Sequence, residues 1–147
     1  MSPVFRRYAD DDLLALVQLV GQLGYEHTPQ GLATNVAQVR QAGGEVFVAE
    51  VEAQVRGCVC AILDVRLAAG RHGEIVSLVV DESARGRGLG RGLVDAAERW
   101  LRARVTQVRV RANTARTSAP EFYEKLGYAR LKTQAVFTKA LPPDRPD

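Results

Sequence analysis

Glycine and arginine fill seven of the eight positions from 85 to 92. The glycines are Gly86, Gly88, Gly90 and Gly92, and the arginines are Arg85, Arg87 and Arg91. A glycine lets another group approach the backbone closely, and an arginine pairs with negatively charged oxygens. This pattern is typical of a site for a phosphate-bearing cofactor or for nucleic acid, with a flexible solvent loop as the alternative.

The segments on either side favour an anion site. Before the glycines, "GEIVSLVV" (73–80) predicts a buried strand, and after them "GLGRGLVDAAERWLRARV" (88–105) predicts an amphipathic helix. The first N–H groups of a helix lack intrahelical partners, and the helix start carries roughly half a positive charge. A strand, a glycine turn and a helix start together bind anions. We therefore call residues 85–91 the glycine loop and predict that it binds an anion.

Two common nucleotide motifs do not fit the glycine loop. A loop of the form G-x-x-x-x-G-K-[ST] needs Lys followed by Ser or Thr, and five residues after Gly86 stands Arg91 instead. The dinucleotide form G-x-G-x-x-G fails in both registers, because the last position is Arg91 or Leu93. The chain does contain Arg-x-x-Gly-x-Gly, as Arg85, Gly88 and Gly90.

Two motifs together resemble the GNAT superfamily of acetyl-CoA-dependent N-acetyltransferases. "LVVDESARGRGLGRGLVDAAERWL" is similar to that family's pyrophosphate-binding strand, loop and helix, and "NTARTSAPEFYEKLGY" is similar to its second signature. The resemblance spans essentially the whole chain. It implies a fold of the α/β (mixed α+β) class: a mixed, mostly antiparallel sheet with splayed central parallel strands and helices on both faces.

The resemblance implies acetyl-CoA as the cofactor. Its pantetheine amides would pair with an open strand edge, and the glycine loop would hold the pyrophosphate through backbone N–H groups and arginine side chains. The cofactor-binding residues implied are Leu78, Val79, Val80, Arg85, Gly86, Arg87, Gly88, Leu89, Gly90, Arg91 and Asn113. Many relatives carry Asn three positions before the signature alanine, where this chain has Arg116. Whether Asn113 or Arg116 contacts the cofactor is therefore left open.

Acetyl transfer to an amine needs a proton acceptor and a stabilised leaving group. An amine with a pKa of ~10.4 is neutral in only about one molecule in 2,500 at pH 7, so a base must take its proton. Glu74 is the candidate base. The alternative is that Glu74 is an exposed acid at the start of a strand, without a catalytic role. Side-chain alternation would place it on one face with Val76, Leu78 and Val80. N–H groups near Val79 are candidate oxyanion donors. Tyr123 matches the family's usual acid for the leaving thiolate, with core packing as its alternative.

The acceptor amine is not identified by any motif. Tyr25 and His27 lie between the first two predicted helices, where this family recruits substrate contacts, so both are candidate substrate-binding residues. For His27 a structural role is the favoured alternative. The leading function is an N-acetyltransferase acting on a small-molecule amine or a protein amino group. A non-catalytic acyl-CoA-binding or sensing domain is the alternative.

The elements that must position these residues follow from periodicity and caps. "VFRRY" predicts a strand, "DDDLLALVQLVGQL" a helix, and Thr28-Pro29 the start of a second helix that stops at Gly43-Gly44. "EVFVAEV" and "QVRGCVCAILDVRL" predict an antiparallel hairpin. "QVRVRA" predicts a further strand, "SAPEFYEKLG" a helix that starts near Ser118, and "YARLKTQAVFTKAL" closing strands.

Length and composition set the remaining expectations. The 147 residues fit one domain, which we place at 1–141, with a disordered tail at 142–147. No apolar run reaches the ~18 residues of a membrane span, so a cytoplasmic location is the default. A net charge of +3 and an aromatic fraction of 6% do not favour a nucleic-acid partner. The oligomeric state is left open, with a homodimer as one option.

The cysteines and histidines do not form a metal motif. Cys58 and Cys60 project from the same face of a predicted strand, which favours buried free thiols. A zinc ion needs three or four ligands, and His27 and His72 are isolated in the sequence. We therefore predict no metal site.

Overall fold

The computed structural model describes residues 2–112 and 118–144. The chain forms two compact units, Met1–Arg111 and Ala112–Asp147. The assignment of one domain to residues 1–141 stays a prediction.

The described residues of the first unit form five strands and three α-helices. The strands are β1 (Val4–Arg7), β2 (Glu45–Val51), β3 (Gln54–Arg66), β4 (Gly70–Val80) and β5 (Val108–Val110). The helices are α1 (Leu13–Gln22), α2 (Pro29–Gln41) and α3 (Leu89–Arg102). Each of these elements was predicted from the sequence. The cap of α2 is confirmed as well, because the Thr28 hydroxyl accepts a hydrogen bond from the Gly31 N–H at 3.0 Å.

The strands form one mixed sheet in the order β1-β2-β3-β4-β5. The first three pairings are antiparallel, and β4 pairs with β5 in parallel. The predicted hairpin joins β2 and β3 through Glu52 and Ala53, which have φ values of 52° and 65°. Positive φ at both turn residues matches the twist of a tight hairpin. The predicted mixed, mostly antiparallel sheet is confirmed.

Helices cover both faces of this sheet, as predicted. On one face, α1 and α2 pack on β2, β3 and β4 around a buried apolar cluster. Its fully buried members include Leu16, Leu19, Leu32, Val36, Val48, Cys58 and Val79. On the other face, Leu93 and Leu101 of α3 are completely buried. They lie against Gly57 and Gly73, where an added Cβ would come within 2.9 Å and 2.8 Å of the two leucines. The two glycines therefore let α3 sit close to the sheet.

Both cysteines are buried free thiols on β3, in agreement with the prediction. Burial raises the pKa of Cys58 to about 12 and that of Cys60 to about 11. Both side chains therefore stay protonated at neutral pH and act as small apolar groups.

The second unit contains α4 (Ser118–Lys125), which ends as predicted before Gly127 at a φ of 96°. The prediction of closing strands at 128–141 is wrong, because residues 129–144 form neither helix nor strand. A strand requires hydrogen bonds to a neighbouring strand, and the described residues of this unit supply only a helix. Of the predicted tail, residues 142–144 are exposed, and 145–147 lie outside the described residues.

Within the described part of the chain, no helix has both the length and the apolar character needed to cross a membrane.

The packing of α3 on β1 generates a stability prediction at Gly92. A Cβ on Gly92 would lie 2.5 Å from both Cε atoms of the Phe5 ring, so Gly92→Ala must displace that ring. The displaced ring should outweigh the helix-propensity gain of up to about 1 kcal/mol, so we expect Gly92→Ala to lower the free energy of unfolding by about 1–2 kcal/mol net. Urea unfolding followed by circular dichroism measures this change.

Gly21→Ala is the matched control, because Gly21 lies in α1 and a Cβ there meets nothing within 4 Å. This variant should gain up to about 1 kcal/mol from helix propensity. A Gly92→Ala protein as stable as the wild type would contradict the predicted close packing.

Candidate functional site

The glycine loop lies at the junction between β4 and α3. After Val80 the chain makes a single 3-10 turn at Glu82–Ala84 and then passes through Gly86 and Gly88, with φ values of 81° and 78°. Both values belong to the left-handed region that favours glycine. Gly88 is the N-cap of α3 and carries no side chain that could bond the first N–H groups of the helix. Those N–H groups are therefore available to an outside anion.

Asp81 fixes the start of this turn. Its N–H donates to the Arg56 carbonyl at 2.7 Å, and its carboxylate accepts hydrogen bonds from Gln22 Nε2 at 2.7 Å and the Ser83 N–H at 3.2 Å. The Ser83 hydroxyl also donates to this carboxylate. Hydrogen bonds from Ser83 and then Gln22 lower the pKa of Asp81 below its usual range. The anionic carboxylate thus ties the loop entry to α1 and β3.

The arginines of the glycine loop are exposed, whereas Leu89 is buried at the start of α3. Arg85 Nε donates to the Val80 carbonyl at 3.3 Å, which holds the base of its side chain near the end of β4. Arg85, Arg87 and Arg91 are exposed and lie within four residues of Leu89, at a helix start that already favours negative charge. Together these groups suit a diphosphate.

A bulge at Ser77 changes the direction of side chains along β4. Ser77 has a φ of 55°, and the pairing with β3 shifts there, from Cys60–Val76 to Cys58–Val79. The extra residue moves Val79 onto the face of Val76, toward α1 and α2. The prediction that Glu74 shares a face with Val76 is confirmed, but its extension to Leu78 and Val80 is wrong, because simple alternation stops at the bulge.

Strand β4 also loses its parallel partner near this bulge. The β4–β5 register runs only from Gly73–Val108 to Ile75–Val110, while β4 continues to Val80. In the described part of the chain no strand pairs with residues 76–80 on that side. The backbone of Leu78, Val79 and Val80 thus lies on an open strand edge, next to the glycine loop. An extended chain with amide groups can pair with such an edge.

Glu74 is buried where the parallel pairing is formed. Only 5% of the residue is exposed, so the alternative of an exposed acid at a strand start is wrong. Arg111 Nη1 lies 3.2 Å from Glu74 Oε1 and donates a 3.5 Å hydrogen bond to Oε2. Glu74 pairs with Ile62, which packs against the α1–α2 cluster, so its side chain points to that face. Arg111 thus holds the Glu74 carboxylate on the face of the sheet that α1 and α2 cover.

An apolar cavity of about 260 Å³ lies on the same face, between α1, α2 and the sheet. Tyr25 and His27, the predicted substrate-binding residues, both line it, and Ser77 lies at its sheet side. The other lining residues are Leu16, Val20, Leu23, Leu32, Asn35, Val36, Val39, Val46, Cys58, Val59 and Cys60. The cavity therefore joins the α1–α2 connection to the bulge, and it could hold the apolar part of an acceptor.

Tyr123 lies on α4 in the second unit, between two aromatic rings. Its ring packs edge to face against Phe122 at 5.1 Å and Tyr128 at 5.9 Å between centroids. Burial raises the pKa of the Tyr123 hydroxyl above its ordinary value, so the group is protonated at neutral pH. A protonated hydroxyl can donate a hydrogen bond. Asn113 and Arg116 lie outside the described residues.

A group of side chains around Glu74 was not predicted from the sequence. Asp64 is the register partner of His72, and one ligand atom from each of Asp64, His72 and Glu74 lies within 4.8 Å of the others. The spacing of His72 and Glu74, two apart on one strand, was the only local signal. Asp64 could not be added to them without the β3–β4 register. The prediction of no metal site had rested on that apparent isolation of His72.

Residues 12–128 match the model of the Acetyltransferase (GNAT) family. Two curated relatives are mycothiol acetyltransferases. That of Salinispora arenicola is 32% identical over 146 residues, and that of Salinispora tropica is 31% identical over 135 residues. These alignments cover 92% and 86% of this chain but 47% and 43% of the relatives, so the chain spans about half their length.

Solved structures share the fold. A Trypanosoma brucei acetyltransferase has a TM-score of 0.80 and 24% identity, with 94% of this chain and 100% of that chain covered. Glucosamine-6-phosphate N-acetyltransferase from Arabidopsis thaliana has a TM-score of 0.81 and 20% identity, with coverage of 94% and 99%. A Clostridium acetobutylicum acetyltransferase with acetyl-CoA has a TM-score of 0.73 and 16% identity, with coverage of 93% and 96%. By the family match over most of its length, the chain belongs to the GNAT acetyltransferase family, whose acetyl donor is acetyl-CoA.

Proposed function

We propose that this protein transfers the acetyl group of acetyl-CoA to a primary amine of a small molecule or of a protein. One observation carries the proposal: the left-handed glycine loop directly follows the open edge of β4. A diphosphate on the loop would start the pantetheine arm beside residues 78–80, where its amides can pair with the strand. The thioester would then reach the bulge at Ser77.

Acetyl transfer at this position needs few side-chain groups. The amine nitrogen attacks the thioester carbon, the carbonyl oxygen becomes an oxyanion, and the thiolate leaves. Backbone N–H groups near Val79 are our candidate oxyanion donors, because a bulge frees N–H groups from strand pairing. Glu74 is the proposed base that removes the amine proton, directly or through water. Tyr123 is proposed to donate a hydrogen bond to the leaving thiolate.

The cavity supports a place for the acceptor. Tyr25 and His27 line it at the α1–α2 connection, and Ser77 brings it to the proposed thioester position. The relatives named mycothiol acetyltransferase favour a small-molecule amine, although this chain spans about half of their length. A protein amino group stays the second option. We place the reaction in the cytoplasm as part of the proposal.

A non-catalytic acyl-CoA-binding or sensing domain is the alternative function. It would use the glycine loop and the β4 edge but would not need Glu74. Glu74 points to the face of the sheet that carries the cavity proposed for the acceptor, and this placement supports catalysis. The sensor would be favoured if acetyl-CoA stabilises the protein against unfolding but is not consumed when any amine is added.

Cofactor binding is tested at Gly88. In Gly88→Ala the new alanine must adopt a φ of 78°, which costs about 1–2 kcal/mol. The loop should therefore relax away from the backbone geometry that holds the diphosphate. We expect the dissociation constant of CoA, measured by calorimetry, to rise by about tenfold.

Gly70→Ala is the matched control. Gly70 has a φ of 74° and, like Gly88, has no atom within 4 Å of an added Cβ, but it is the first residue of β4, at the opposite end of the strand from the glycine loop. Its variant should lose similar stability and keep the wild-type affinity for CoA. Equal affinities in all three proteins would remove the glycine loop from cofactor binding.

Glu74→Gln tests the proposed base. We expect kcat/KM at pH 7 to fall by about 10²-fold or more. The rate of the variant should then climb about tenfold per pH unit from 7 to 9, because the neutral fraction of an amine with a pKa of ~10.4 rises at that rate. A wild-type rate at pH 7 would exclude Glu74 as the base.

Tyr123→Phe tests the leaving-group donor and leaves the ring in place. We expect turnover to fall by about 10²-fold while CoA affinity is unchanged. Tyr128→Phe removes the hydroxyl of the neighbouring ring in the same unit and should retain turnover. Equal turnover in the two variants would assign Tyr123 to packing alone.

A further inference from the structure

We propose that Asp64, His72 and Glu74 form a binding site for a divalent transition metal, with Zn²⁺ as the best fit, and that the bound ion blocks acetyl transfer. The binding half of this inference stands on the first unit alone. The inhibitory half rests on the proposed function, because it needs Glu74 to be the base.

The sheet places the three ligands on one rigid surface. His72 and Glu74 are two residues apart on β4, before the bulge, so their side chains share a face. Asp64 is the direct register partner of His72 on β3 and shares that face too. In these described residues, one ligand atom from each side chain lies within 4.8 Å of the other two. This is the arrangement of a three-ligand site with one open position.

The distances need only a small closure around an ion. Two ligand atoms on a tetrahedral zinc ion, at bond lengths of ~2.0–2.2 Å, are about 3.3 Å apart. His72 Nε2 already lies 3.2 Å from Asp64 Oδ2. Glu74 has to approach by about 1.5 Å at most, which a rotation of its side chain can supply.

The buried ring of His72 gives independent evidence for a missing ligand. Only 3% of the residue is exposed, and neither ring nitrogen has a well-directed hydrogen bond within the described part of the chain. A buried polar nitrogen without a partner has lost its hydrogen bonds to water and gained none in the protein. His72 Nε2 lies 3.2 Å from Asp64 Oδ2, but the two atoms do not form a hydrogen bond, so this contact does not satisfy the ring. A metal–imidazole bond would satisfy the ring.

Two arginines hold the carboxylates from the outer side. Arg66 Nε donates to Asp64 Oδ2 at 2.8 Å, and Arg111 contacts Glu74. Each carboxylate has about four lone-pair positions, so these contacts leave room for a metal. Hydrogen bonds of this kind orient metal-binding carboxylates in many proteins. Both arginine side chains are about half exposed, at 48% and 50%, and can turn toward water if the ion repels them.

The ligand set selects the class of metal. One imidazole and two carboxylates suit Zn²⁺ and similar first-row ions, whereas Mg²⁺ and Ca²⁺ prefer oxygen ligands alone. An ion bound to Glu74 would occupy the lone pairs that have to accept the amine proton. Zinc would therefore act as a reversible inhibitor.

The test is a titration of the full protein with Zn²⁺ against a chromophoric chelator, without acetyl-CoA. We expect one ion per chain, and His72→Gln should weaken its binding by at least about tenfold. Asp64→Asn, at a partly exposed position, serves as the second variant if His72→Gln does not fold. Unchanged affinity in these variants, or no binding to the wild type, would overturn the proposal.

His27→Gln is the matched control, because His27 is the other histidine in the chain. This variant should bind zinc as the wild type does. Co²⁺ in place of zinc should give visible ligand-field bands without a thiolate charge-transfer band. Loss of binding in His27→Gln, or a thiolate band, would place the ion elsewhere and refute the site.

The inhibitory half is measured separately, by the amount of acetylated amine formed. Activity should decrease with the same midpoint as the binding titration. Binding without inhibition would reject this half alone. A wild type that binds zinc but acetylates no amine at any zinc concentration would reject the proposed function and leave the metal site standing.

Discussion

The site depends on the change of surroundings along β4. From Gly73 to Ile75 the strand pairs on both sides, and after the bulge at Ser77 it pairs, among the residues that the structure describes, with β3 alone. Backbone groups that leave one partner must find another, in water or in a ligand. A short turn and the glycine loop then lead from the end of β4 to the start of α3, which favours negative charge. One strand therefore offers an extended edge and an anion site in direct succession, which matches a cofactor with an amide arm and a diphosphate.

Much of this arrangement could be predicted from local sequence. The glycine loop, the Thr28 cap and the apolar stripe of α3 depend on residues within a few positions of one another, so their physical causes are visible in the sequence. The bulge could not be predicted, because Ser77 is not a residue that favours a φ of 55°. The contact between Asp64 and His72 can be predicted only when the register of β3 and β4 is known. The prediction of closing strands failed because a local pattern does not show whether a neighbouring strand is present.

The charged groups near Glu74 show how a fold keeps a carboxylate inside a protein. Glu74 and His72 are almost fully buried, and Asp64, Arg66 and Arg111 connect them to the surface. Burial of an unpaired charge would be costly, so the pairing with Arg111 makes the burial of Glu74 possible. The same pairing fixes the orientation of Glu74 toward the face that carries the apolar cavity.

The protonated state of Cys58 and Cys60 has a practical consequence. Disulfide reagents react with thiolates, and the free thiol of CoA has an ordinary pKa, whereas these two side chains are buried and titrate far above neutrality. A colorimetric assay with such a reagent should therefore count liberated coenzyme with no background from the folded enzyme. The same reagent would count two additional sulfurs per chain once the polypeptide unfolds, so one measurement can follow both catalysis and structural integrity.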